Sequence, residues 1–152
     1  MLVSQILYTL TSLKFMRSIE KLLQEHREIE QYLDDLEIAM NEDEELNISN
    51  ISHIFKRLHN LWNYHEENEE NFFRELSESG VKLPFSRFLF EHQELKGHKK
   101  VLHDAINSGS DIKIRVALDT DGRMLINKLR KHIEDEEESI LNNYLNVNYT
   151  KP

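Results

Sequence analysis

Apolar residues recur at steps of three and four along four stretches of the chain, and a histidine interrupts each seam once. The first seam is Ile19, Leu22, His26, Ile29, Leu33, Leu36 and Met40, and the second is Ile51, Phe55, Leu58, Trp62, His65, Glu69, Phe72 and Leu76. The third is Phe85, Phe88, His92, Leu95, Leu102 and Ile106, and the fourth is Leu118, Leu125, Leu129, His132, Glu136 and Ile140. Such steps place residues on one face of a helix, so the pattern predicts four amphipathic helices. The first is expected over 16–40, followed by an acidic connection over 41–47. The second should be capped near Ser49 and run to about Ser79, with Gly80 as a left-handed stop. Pro84 marks the first turn of the third helix, which ends near Asn107. Asp111 is the expected cap of the last helix, which ends near Tyr144, with Thr120, Asp121 and Gly122 as a point of kinking. Short links make sequential helices antiparallel neighbours. The predicted fold is therefore all-α, an up-down-up-down four-helix bundle over 16–145. A short N-terminal amphipathic helix over 1–15 precedes it, and a frayed tail over 146–152 follows.

Composition narrows what such a bundle can do. The 152 residues suffice for one domain with a real core. A net charge of −9 argues against nucleic acid as a partner. Without cysteine there are no disulfides, thiolate metal sites, iron–sulfur clusters or thiol nucleophiles. No apolar run is long enough for stable membrane insertion. Leu2, Val3, Ile6, Leu7, Leu10 and Leu13 follow a helical period, but they lack the basic start and small-residue cleavage site of a secretion signal. That segment is expected to pack on the bundle or on a second subunit, giving a homodimer through residues 2–15, and the expected location is the cytoplasm.

The chemistry lies in the interruptions. His65 with Glu69, and His132 with Glu136, are four apart and so share a helix face. His26 and His92 sit mid-seam on the other two helices. Nearly the same interval separates His26 from His65 as His92 from His132, so two helix hairpins each deliver two imidazoles and one carboxylate. Buried carboxylates are costly unless paired or bound to a metal. Nitrogen and oxygen donors without sulfur suit iron, manganese or zinc, and inward-facing Glu and His in bundle cores build di-metal sites. His53, His59, His98 and His103 lie off the seams and are expected at the surface. Glu66, Glu67, Glu70, Glu134, Asp135, Glu137 and Glu138 are expected mostly on solvated faces. Trp62, Phe72, Phe73, Phe85 and Phe88 are expected in the core.

The segments "LLQEHREIE" with His26, "HEENEE" with His65 and Glu69, "FEHQEL" with His92 and "HIEDEEESIL" with His132 and Glu136 resemble the haemerythrin-like, or HHE cation-binding, domain over roughly Met16 to Tyr144. The resemblance implies two iron ions with an oxo or hydroxo bridge. Glu69 and Glu136 would bridge them, His26 and His65 would bind one iron, and His92 and His132 the other. Glu66 could add a ligand, and Glu30 is a weaker candidate. The oxygen carriers of that family use a His-x-x-x-His pair on the third helix, whereas here Lys96 follows His92 by four. The four-histidine, two-glutamate set is more similar to iron-cluster repair proteins and to iron- and oxygen-sensing HHE domains. Those repair proteins carry an additional cysteine-bearing N-terminal domain, which these residues do not include. The expected function is a di-iron protein that binds or senses oxygen, nitric oxide, peroxide or iron. The alternatives are a di-iron oxidoreductase, of a peroxidase, nitric oxide reductase or cluster-repair kind, and an interaction module with a structural metal. Zinc or manganese in place of iron stays open.

Overall fold

The computed structural model describes residues 2–42 and 45–149, with side chains over 13–42, 45–140 and 142. Among these, all regular structure is helical: α1 (Leu2–Met40), α2 (Ile48–Glu78), α3 (Phe85–Ser108), α4 (Asp111–Ala117) and α5 (Arg123–Tyr149). A π turn over Leu118–Gly122 joins α4 to α5 with right-handed helical backbone throughout, so the two form one interrupted run. Helix α1 packs against α2 and α5, and α3 packs against α2 and α5. Four long segments therefore enclose a common core as a helical bundle. Among the described residues, no helix is long and apolar enough to cross a membrane.

The punctuation is mostly where Gly and Pro put it. Gly80 (φ 83°) and Gly109 (φ 69°) stand in the left-handed region that stops a helix, and Pro84 immediately precedes α3. Two caps differ from expectation by a residue or two. Asn47 rather than Ser49 caps α2, its side chain accepting from the Asn50 amide, and Ser110 rather than Asp111 caps α4, accepting from the Lys113 amide. In each case the side chain nearest the first free amides takes the bond.

Three boundaries move. The helix expected to begin at Met16 begins at Leu2, because no Gly or Pro separates the N-terminal segment from the first seam. The separate short helix over 1–15 is thus the first part of α1. Phe15 packs on Phe72 (ring centroids 6.1 Å apart), while the side chains of residues 2–12 lie outside the described residues. The tail expected to fray after Leu145 is helical as far as Tyr149, and 150–152 lie outside the described residues. The expected kink is a π turn, a common form of local helix interruption. Gly122 is buried there, and a Cβ on it would meet Met40 Cε at 3.4 Å. Asp121 binds His98 of α3 (2.9 Å) and fixes the turn to its neighbour.

The core is divided. One apolar cluster includes Ile29, Leu33, Leu36, Phe55, Trp62, Leu102, Leu125 and Leu129. The other holds Ile19, Leu22, Phe72, Phe73, Leu76, Phe88 and Ile140. Along the seams the six polar residues fall between these clusters, so they form a polar layer closed off by hydrocarbon above and below.

Candidate metal centre

His26, His65, Glu69, His92, His132 and Glu136 are all buried, and the bundle brings them together. Glu69 is central. Its Oε2 lies 2.8 Å from His65 Nε2 and 3.4 Å from His26 Nε2, and its Oε1 lies 2.9 Å from His92 Nε2 and 3.9 Å from His132 Nε2. Glu136 touches His132 Nε2. Two donor groups result, sharing Glu69: His26, His65 and Glu69, and His92, His132, Glu69 and Glu136. The six residues thus fall into two donor groups joined by one shared carboxylate.

The outward nitrogens are equally organised. His26 Nδ1 donates to Glu137 (3.0 Å), His65 Nδ1 to Glu25 (2.9 Å), His92 Nδ1 to Glu70 (3.2 Å) and His132 Nδ1 to Glu91 (3.1 Å). An ionised carboxylate only accepts, so each Nδ1 carries a proton, and each Nε2, directed at the centre, is the nitrogen a metal would take. Carboxylates behind metal-binding imidazoles fix tautomer and ring orientation in this way. The arrangement follows the internal repeat: Glu25 stands to His65 as Glu91 to His132, and Glu137 to His26 as Glu70 to His92. Glu70 and Glu137, expected on solvated faces, therefore support the site, and so do Glu25 and Glu91, to which the seams gave no role. Glu66 is also buried, with one oxygen bound to Lys96 (3.2 Å) and the other without a hydrogen bond. Together with Glu70 and His92 it forms a third donor group. Glu30 is exposed and outside the site. His98 binds Asp121, and His103 stacks on His59 (5.1 Å), so neither joins the centre.

Electrostatics show what the layer lacks. His26 Nε2 and His65 Nε2 face each other at 3.1 Å, a contact that needs a proton or a cation between the two nitrogens. Burial lowers the His65 pKa, but bonds to Glu25 and Glu69 outweigh it and raise it to about 9. His26 and His92 are raised by the same balance. Burial, then the charge of Glu69, pushes Glu136 well above the usual carboxylate range. Glu69 is held well below that range, because its contacts with Glu136 and the histidines outweigh its burial. Both oxygens of Glu136 and His132 Nε2 are buried, and although Nε2 lies against one of those oxygens, none of the three makes an aligned hydrogen bond. Such orphaned groups are costly, and bound cations would satisfy them. The donor set fits a metal pair.

Across residues 17–143 the sequence matches the family described as the Hemerythrin HHE cation binding domain. The chain belongs to that family. No curated protein and no solved structure matches it. A cation-binding role thus agrees with the buried His/Glu cluster. In this HHE domain aromatic rings pack around the cluster: Trp62 lies 5.6–6.0 Å from the rings of His65, His92 and His132, and Phe88 lies 6.1 Å from that of His132.

A buried cation was missed as well. Lys99 is 3% exposed, its Nζ bound to Asn63 Oδ1 (2.7 Å) and lying 5.7 Å from the centre of the Trp62 ring. It fills the step between Leu95 and Leu102 that the third seam left vacant, and that gap is the signal that could have found it.

Proposed function

We propose that this HHE domain is a non-haem di-iron protein that binds or senses a small ligand (oxygen, nitric oxide or peroxide) or iron itself. His26 and His65 would hold one iron and His92 and His132 the other. Glu69 and Glu136 would bridge them with an oxo or hydroxo group, and Glu66 is a candidate extra ligand. The observation that carries the proposal is the double orientation of the histidines, with every Nδ1 taken by a glutamate and every Nε2 directed at buried carboxylates. An iron pair supplies redox change and open coordination positions. The chain's own residues set donor geometry, exclude water and hold protons until metal enters. Glu136 is the residue most in need of a proton, so metal entry displaces it.

The bundle order proposed is up-down-up-down. Cross-helix pairs run in opposite senses and support it: Lys14 with Glu75 and Lys21 with Tyr64, His92 with Glu70 and Lys99 with Asn63, Arg87 with Asp135 and Lys128 with Glu94, and His26 with Glu137 and Arg130 with Glu37. The proposal includes a cytoplasmic location and dimerisation through residues 2–15.

The test is to load the protein anaerobically with ferrous iron and add oxygen, nitric oxide or peroxide in turn. New near-ultraviolet and visible bands that saturate with added ligand, without sustained consumption in the presence of an electron donor, support a binder or sensor. Sustained turnover assigns an oxidoreductase instead. An unchanged spectrum with all of them refutes the proposal.

A further inference from the structure

The internal repeat makes the two faces of the centre comparable, and they differ. Between α3 and α5 lies a cavity of about 560 Å3 whose inner wall includes His132 and Leu95. Arg87, Glu91 and Glu94 of α3 and Lys128, Lys131 and Asp135 of α5 form its sides. It therefore begins at a site histidine and opens between charged side chains. In the repeat, the α1/α2 face has Lys21, Leu61, Tyr64 and Asn68 where the α3/α5 face has Arg87, Lys128, Lys131 and Asp135. Tyr64 there takes a hydrogen bond from Lys21 (3.3 Å), and Asn68 donates to Glu25 (3.2 Å). These bonds tie α1 to α2 beside His65. A smaller cavity of about 140 Å3 on that side is lined by Lys21, Asn68 and Phe72 among others, and by no site histidine.

Charge on the open face is also particular. Arg87 is held by Glu91 (3.3 Å) and Asp135 (3.1 Å), and Lys128 by Glu94 (3.6 Å). Lys131 is exposed and, among the described residues, has no ion pair. On a chain of net charge −9, anions are repelled by the whole and attracted only by local cations of this kind. At its inner end the cavity meets the His132 ring, whose Nδ1 is held by Glu91 of the cavity wall (3.1 Å).

We propose that the α3/α5 groove is the entrance by which small anionic ligands reach the metal centre, arriving beside His132, with Lys131 as the cation that draws them in. The proposal rests on the di-iron reading above.

Azide is a suitable probe, because it is a small anion that ligates ferric iron and reports its own binding by a charge-transfer band. Its association rate is measured on oxidised, iron-loaded protein of full length, with iron content determined on the same samples. Lys131→Gln should slow association at low salt, and Lys131→Glu should slow it further, by roughly threefold to tenfold. Both effects should vanish near 1 M salt, where the screening length falls to about 3 Å. Tyr64→Lys, which adds a cation at the matching position of the α1/α2 face, should leave the rate unchanged. Variants that hold two irons but show wild-type rates overturn the entrance alone. A faster rate in Tyr64→Lys moves the entrance to the α1/α2 face and also overturns it. Wild-type protein that takes up no iron refutes the di-iron reading and the entrance with it.

Discussion

Replacing Lys99 by methionine should stabilise the protein at neutral pH, and the gain should disappear in alkali. Burial is the first cause of the lowered Lys99 pKa, from 10.5 to about 8, and the charge of Lys96 adds to it against the pull of Glu66. The folded state therefore binds this proton less tightly than the unfolded state. The unfolded chain carries more protons between the two values, so stability rises with pH across roughly 8 to 10.5 and is lowest below it. Keeping the ammonium buried at pH 7 costs about 3 kcal/mol. Methionine fills a similar volume without that cost, but it gives up the bond to Asn63 and the contact with Trp62. Those losses are on the order of 1–2 kcal/mol together, and exposed Asn63 can turn to water. The expected net gain is about 1–2 kcal/mol at pH 7, becoming a deficit of about 1 kcal/mol at pH 10. Urea unfolding of chelator-treated wild type and variant, at pH values from 7 to 10, measures the difference directly while other titrations cancel. A stability difference that is the same at pH 7 and pH 10 would refute the reasoning, since only the lysine proton makes it depend on pH.

Further expectations concern the layer and its supports. Glu69→Ala removes the one carboxylate shared by both donor groups and should lower metal content from two per chain to one or none, by elemental analysis. Glu25→Ala removes the acceptor behind His65 and should weaken metal binding about 10- to 100-fold while the far-ultraviolet circular dichroism stays helical; unchanged affinity in a competition titration would count against a supporting role. Gly122→Ala places a Cβ at ordinary contact distance from the flexible end of Met40. It should raise stability by about 0.5–1 kcal/mol through helix propensity, and a loss greater than that in urea unfolding would show that the π turn needs its glycine.

How much was legible followed from what each residue interrupts. His26, His65, His92 and His132 stood out because they replace apolar residues at positions that a helix must bury, and Glu69 and Glu136 because they continue the same face. The four supporting glutamates did not stand out, for a physical reason. Glu25 is next to His26 in sequence but serves His65, and Glu91 is next to His92 but serves His132. Adjacent helical residues point about 100° apart, so only the neighbouring helix decides which ring such a carboxylate meets. Lys99 was hidden by its own polarity, which made the seam look as if it skipped a turn. Gly122 signalled an interruption, but a kink and a π turn leave the same mark in a sequence. Helix was legible on both sides of Met16, but its continuity was not: only the absence of Gly and Pro there marks the two stretches as one helix.

The central claim is that the polar layer holds two irons between its two histidine pairs. Anaerobic titration of chelator-treated protein with ferrous iron, followed by the stabilisation of unfolding and by bound iron after desalting, tests it most directly. The account predicts saturation at two irons per chain in wild type, with protons released on binding. Saturation at a single metal, or no iron retained by a protein that folds equally well without it, would contradict it.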